Sequence, residues 1–262
     1  MREVWDQLID VTPLDSNDPQ HLALLERPEL GCTFSKLRAW TLTQFEKCVF
    51  MDADTLVLQN VDDLMQREEL SAAPDIGWPD CFNTGVFVFK PSTKTYDDLL
   101  AHAKQYGSFD GGDQGLLNEF FSDWSTKDIA RHLPFAYNTV SSAVYSYTPA
   151  FNRYWKDVKI VHFLGSVKPW HHYYNKESGK VVQMGQSSSL DTMFTQMWWD
   201  LYNADISSWE KWNAARLQGN GDRRGAWEQG TPNYHGEDSF NNILTYMSAM
   251  MLTSQPANQS SK

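Results

Sequence analysis

Between Lys47 and Asp54 the chain reads KCVFMDAD: an apolar run of strand length that stops abruptly on two acids with one alanine between them. Asp52 and Asp54 are therefore expected at the carboxyl end of a buried strand. There, side chains two positions apart point the same way and two carboxylates can reach one ion. In an open α/β sheet that end is also where ligands bind. A surface acid pair in a loop would carry the same three residues; the apolar run before it favours the strand.

Other segments fit the same architecture. The runs 82-FNTGVFVFK-90 and 158-VKIVHFLG-165 read as further buried strands, and 4-VWDQLIDV-11 as a strand leading into a loop. Helices are expected at 95-TYDDLLAHAKQY-106 and from about 115 to 123. A short one is expected at 21–31, stopped by Pro28 and Gly31, and another over FSKLRAWTLTQF, capped by Thr33, with Leu37 and Trp40 on one face. Strands alternating with helices predict an α/β class with a mostly parallel sheet.

Composition narrows the partners. Twenty-two basic residues against 33 acidic ones give a net charge of −11, which argues against a nucleic-acid or anionic-membrane surface. A phosphorylated ligand would need a metal ion or a few placed bases. No apolar run approaches the ~18 residues of a membrane helix. The acidic start MREVWDQLID does not resemble an export signal, and three cysteines, Cys32, Cys48 and Cys81, suit free thiols in a reducing compartment. These features predict a cytoplasmic setting.

Several groups could carry chemistry. His162 interrupts a buried strand just before Leu164-Gly165 and is either a satisfied core histidine or a third ligand beside Asp52 and Asp54. Two oxygens and an imidazole favour Mn2+ over Mg2+. Lys168, six residues on, could neutralise phosphate charge. The glycine-rich turn 110-DGGDQG-115 offers Asp110, Asp113 and Gln114 to sugar hydroxyls, with Asp113 able to face a developing oxocarbenium ion; a helix-capping turn would look the same. Tyr145 and Tyr147 lie among small residues, where packing near a turn is the plainer reading.

The segments 48-CVFMDADTLVLQNVDDL-64, 68-EELSAAPDIGWPDCFNTGVFVFKPS-92, 108-SFDGGDQGLLN-118, 145-YSYTPAF-151 and 161-VHFLGSVKPW-170 together resemble the glycogenin family. These are self-glucosylating, retaining glycosyltransferases that start glycogen particles. The match runs from about Asp15 to Trp199. The resemblance implies a GT-A-type nucleotide-sugar transferase fold and transfer of glucose from UDP-glucose to the chain's own tyrosine, followed by α-1,4 extension. Carried over position by position, Asp52, Asp54 and His162 match the Mn2+ ligands, and Ala53 and Arg27 match nucleotide contacts. Asn83 and Thr84 match the glucose site, although the family often has Ser at the second. Asp110, Asp113 and Gln114 match the sugar-binding turn. Gly165 and Lys168 match pyrophosphate contacts, Lys36 a lysine needed near the donor, and Tyr145 the glucose acceptor.

The segment 227-WEQGTPNYHGEDSFNNIL-244 resembles the peptide by which glycogenins recruit glycogen synthase, with Trp227, Tyr234, Phe240, Ile243 and Leu244 as the expected contacts. The implied organisation is a transferase domain over 1–204, a linker over 205–225, a synthase-binding helical segment over 226–252 and a tail over 253–262. A homodimer and nascent glycogen are the other implied partners. Family members resemble this chain only after roughly fifty residues of their own, more than the ~30 of one βαβ unit. The fold is thus expected to be N-terminally incomplete, with weak or absent donor binding. The alternative is an impaired transferase that acts as a scaffold, recruiting glycogen synthase or pairing with full-length subunits.

Overall fold

A computed structural model of the chain describes residues 5–25, 28–126, 128–141, 148–182 and 189–204. In order these form α1 (Pro19–Leu24), a 3-10 run over Pro28–Thr41, β1 (Cys48–Met51), β2 (Thr55–Val57), β3 (Ser71–Pro74), β4 (Phe82–Phe89), α2 (Thr93–Tyr106) and α3 (Asp113–Phe120). Then come β5 (Thr139–Val140), α4 (Thr148–Tyr154), β6 (Ile160–His162), β7 (Tyr173–Asn175), β8 (Lys180–Val182) and α5 (Ser189–Asn203). They divide into two units, the larger within Met1–Tyr173 and Val182–Phe194, the smaller within Tyr174–Val181 and Thr195–Lys262.

The β4 run FNTGVFVF has no charged side chain and is buried along its whole length. It is the centre of a sheet ordered β1-β4-β3. Its alternation feeds two cores. Phe82, Phe87 and Phe89 join Phe34, Leu37, Trp40, Leu99 and Leu117 on one side, while Val86 and Val88 meet Leu64, Leu133 and Ile160 on the other. Trp40 stacks on Phe87 at 5.5 Å between centroids and lies 4.8 Å from Phe89. Each such ring buried contributes about 1.5–3 kcal/mol.

The α/β expectation holds, but the mostly parallel sheet does not. β1 and β3 both run antiparallel to β4, and β2 antiparallel to β6, while β5 and β6 pair in parallel and a single parallel bridge joins Ala72 to His132. The connection from β3 to β4 spans just residues 75–81, too short for the crossover a parallel neighbour requires. Alternating strand and helix patterns had implied such crossovers throughout.

Two local expectations also change. Residues 5–11 form no strand, and Trp5, Leu8, Ile9 and Val11 are exposed; no described strand pairs with them, and an apolar alternation without a ladder partner stays irregular. The segment expected as a Thr33-capped α-helix belongs to the 3-10 run, with Thr33 inside it. In a 3-10 helix, side chains three apart eclipse, so Phe34, Leu37 and Trp40 make one buried row. Thr33 and Lys36 make a second row, which faces the N-terminus of α3.

In the smaller unit, Gln196 of α5 accepts from the Val181 N–H at 2.9 Å and donates to the Gly179 carbonyl at 3.0 Å. Tyr174 stacks on Trp199 at 5.1 Å. No described helix is long and apolar enough to cross a membrane.

Candidate active site

Asp52 and Asp54 belong to a turn rather than to one strand end. The Asp52 N–H bonds the Gly85 carbonyl of β4 at 2.8 Å, and its own carbonyl receives the Thr55 N–H at 3.1 Å and the Thr55 hydroxyl at 2.7 Å. The Asp54 carbonyl receives the Phe163 N–H at 2.9 Å. The turn thus passes the chain from the β4 sheet to the β6 sheet, and the acids converge because the chain changes sheets between them. Thr55 pairs with His162 in the β2–β6 register, which sets the imidazole opposite the turn. Ligand atoms of Asp52, Asp54 and His162 lie within 4.8 Å of one another.

His162 is 3% exposed, and its ring packs against β4 at Gly85. A Cβ on Gly85 would stand 2.3 Å from His162 Cε1 and 2.4 Å from Nδ1. Only a glycine leaves this cradle open. Nε2 faces Asp54 Oδ1 at 3.4 Å. Two carboxylates and an imidazole nitrogen, seated by a fitted backbone cradle, suit a divalent cation. Asp52, Asp54 and His162 are therefore the residues that would hold one.

Two lysines flank the trio. Lys36, from the 3-10 run, is 7% exposed in its side chain, and its Nζ lies 3.2 Å from Asp52 Oδ1, 2.7 Å from Asp113 Oδ2 and 3.1 Å from the Thr84 carbonyl. One ammonium therefore joins Asp52 to the α3 acid. The Lys168 Nζ pairs with Asp54 and donates to the Phe163 carbonyl at 2.8 Å.

The electrostatics follow from this packing. Burial alone would lower the Lys36 ammonium, but Asp113 and Asp52 outweigh it and hold it above its usual range. Burial pushes the Asp52 carboxyl up, and the like charge of Asp113 adds to the push against the pull of Lys36. Burial also opposes ionisation of Asp54, yet the bonds from His162 and Lys168 keep it well below the usual carboxylate range. The His162 share of that requires a protonated ring; with a neutral ring Lys168 carries it.

The turn before α3 has a double role. Asp110 accepts from the Ser108 hydroxyl at 2.8 Å, the Gly112 N–H at 2.8 Å and the Gly115 N–H at 3.0 Å. It thereby holds the α3 N-terminus that carries Asp113. The Asp113 N–H bonds the Thr33 hydroxyl at 3.1 Å. Gln114 accepts from the Thr84 N–H at 3.3 Å and donates its amide to Asp75. Asn83 and Thr84 are buried on β4 between these groups, while Ala53 is exposed at the tip of the acid turn. Gly165 has φ +104°, a conformation L side chains rarely adopt.

Lys36, Asp52, Asp54, Thr84, Asp113, Gln114, His162 and Lys168 are thus joined by direct contacts or shared partners. Arg27, Tyr145, Trp227, Tyr234, Phe240, Ile243 and Leu244 lie outside the described residues, as do the linker and tail. Sequence reasoning missed Gly85, Asn138, Asp75 and Thr33. Only Gly85 left a signal, as a glycine inside an otherwise apolar strand.

The glycosyl transferase family 8 model matches residues 62–173. Mouse glycogenin-1 is 48% identical over 93% of this chain and 82% of its own length. The chain belongs to the glycogenin family. Rabbit glycogenin-1 is 47% identical over 92% of this glycogenin-family chain and 81% of that protein. Human glycogenin-2 is 56% identical over 79% of this chain and 42% of that one. The apo form of the Streptococcus pneumoniae glycosyltransferase GlyE superposes with a TM-score of 0.51 at 20% identity, covering 70% of this chain and 46% of that structure. The fold is accordingly the GT-A-type fold of that transferase family, and this member is a glycosyltransferase.

Proposed function

We propose that this chain transfers glucose from UDP-glucose to the phenol of Tyr145 in a Mn2+-dependent, configuration-retaining reaction. It then extends the primer by α-1,4 links to start glycogen. The observation that carries the reading is the Lys36 ammonium, which pairs with both Asp52 and Asp113; in this proposal Asp52 is a cation ligand and Asp113 the acid that faces the sugar. A bound Mn2+ would supply Lewis-acid charge against the leaving diphosphate.

The chain's own residues do the rest. Lys36 sets its positive charge between Asp113 and Asp52 and orients the two acids about one ammonium. Asp113, held by Thr33 and by the Asp110-braced turn, presents a carboxylate to positive charge developing at the anomeric carbon. Lys168 brings a second ammonium to the phosphate side of the trio. A phenol of pKa about 10 is roughly one part in a thousand ionised at pH 7, a deficit of about 4 kcal/mol. The Tyr145 proton therefore passes to the departing phosphate oxygen as the C1–O bond to UDP breaks and the C1–O bond to tyrosine forms on the same face.

The proposal extends to a cytoplasmic homodimer that recruits glycogen synthase through Trp227, Tyr234, Phe240, Ile243 and Leu244. The retained cluster of Lys36, Asp52 and Asp113 favours the enzyme over the scaffold reading. Intact-mass analysis after incubation with UDP-glucose and Mn2+ tests it. Successive hexose increments that vanish in Tyr145→Phe are expected; an unchanged mass in the parent chain, or increments that persist in the variant, refutes it.

A further inference from the structure

The neighbourhood of His162 contains a chain of buried amides that runs from Asn83, expected at the glucose site, to Asn138, to which the proposed reaction gives no part. The Gly85 N–H donates to Asn83 Oδ1 at 2.9 Å. Asn138 Nδ2 donates to that same oxygen at 2.7 Å. His162 Nδ1 meets Asn138 Oδ1 at 3.0 Å. Asn83, Asn138 and His162 are 3%, 2% and 3% exposed, so no bulk water completes their bonding.

The direction of every bond in this chain follows from one backbone group. A peptide N–H can only donate, so the Asn83 atom facing Gly85 is its oxygen. The Asn138 atom facing that oxygen must then be its NH2. The Asn138 atom facing His162 must be its carbonyl oxygen, which requires a proton on Nδ1. A neutral ring so held keeps its lone pair on Nε2, the nitrogen that looks toward Asp54 Oδ1. Asn138 is placed for this by β5, whose Val140 pairs in register with His162.

We infer that Asn138 is a positioning residue: with Asn83 and the Gly85 N–H it locks His162 in the Nδ1-protonated tautomer and aims Nε2 into the site formed with Asp52 and Asp54. This rests on the reading of that trio as a divalent-cation site. A buried second partner of this kind sets the ring's orientation and tautomer, and its loss weakens metal binding by roughly 10–100-fold.

The test uses the full chain labelled with 15N-histidine, metal-free and at about pH 8, where a free imidazole is neutral. His162 is assigned among the seven histidines by its loss in His162→Gln. Two-bond 15N–1H correlations are expected to show the Nδ1–H tautomer in the parent and an Nε2–H or mixed form in Asn138→Ala. Mn2+ affinity, followed by the paramagnetic resonance of the free ion, should fall roughly 10–100-fold in Asn138→Ala. It should stay near the parent's in Asn138→Asp, whose carboxylate still accepts from Nδ1. An Nε2–H tautomer at His162 in the parent overturns the inference whether or not Asn138→Ala folds. Mn2+ binding by the parent that is unchanged in Asn138→Ala overturns the relay alone, whereas no Mn2+ binding by the parent removes the cation site and the inference with it.

Discussion

Adding one methyl group to Gly85 is the sharpest test of how the cation trio is built. The new Cβ would stand 2.3 Å from His162 Cε1, where ordinary contact begins at 3.4 Å, so the ring must retreat by about 1.1 Å. The ring has little space to yield, being 3% exposed and bonded through Nδ1 to Asn138. Metal–ligand distances tolerate only about 0.2 Å, so a displaced Nε2 leaves the coordination shell or distorts it. The expected result for Gly85→Ala is a Mn2+ dissociation constant raised roughly 10–100-fold, or about 1.4–2.7 kcal/mol. Alanine is otherwise the better strand residue by roughly 0.5–1 kcal/mol, so the far-ultraviolet dichroism should remain that of the parent. Titration of the full chain with Mn2+, reading the free ion by paramagnetic resonance, measures the affinity directly. A folded Gly85→Ala chain that binds Mn2+ within about twofold of the parent would refute the cradle argument.

Three further outcomes follow from the same contacts. Replacing Lys36 by Met leaves the buried Asp113 and the half-buried Asp52 without their shared counter-ion; a loss of about 3 kcal/mol in unfolding free energy is expected by denaturant titration, together with loss of glucose transfer. Asp110→Ala strips the acceptor from Ser108, Gly112 and Gly115; it should cost about 2 kcal/mol and lower the melting midpoint by roughly 4–8 °C. At the Asp63–Tyr137–Lys159 cluster, burial would raise the Asp63 carboxyl, yet bonds from Lys159 and Tyr137 hold it below 3.8. A depressed carboxyl contributes stability above its unfolded value and loses it as pH falls through the folded one. Asp63→Asn should therefore flatten stability below about pH 4, by no more than about 1 kcal/mol because the pair is half-exposed and screened.

What the sequence revealed was local. The apolar run before Asp52 and the uncharged stretch 82–89 could hardly be anything but strands, and 95–106 carried enough helix formers to be recognised. The acids and His162 stand out by residue type, by the apolar strands that carry them and by the family resemblance, and the fold does bring them together. The means of convergence was not legible: the Asp52–Asp54 turn gathers its ligands by crossing between two sheets, and sheet partnership is a long-range property. The 3-10 run escaped because a spacing of three at Leu37 and Trp40 fits 3.0 and 3.6 residues per turn equally well over so short a stretch. Asn138 gave no signal, since an asparagine before a two-residue strand is ordinary loop composition; its role exists only through the amide of Gly85.

Because Asp52 hangs from the β4 sheet and Asp54 and His162 from the β6 sheet, the trio works as a clasp between two leaves. A cation gripped there would resist any splaying of the leaves, so occupancy and rigidity rise together. Metal loading should then slow amide exchange along β2 and β6 and lift the melting temperature in proportion to the logarithm of free ion concentration.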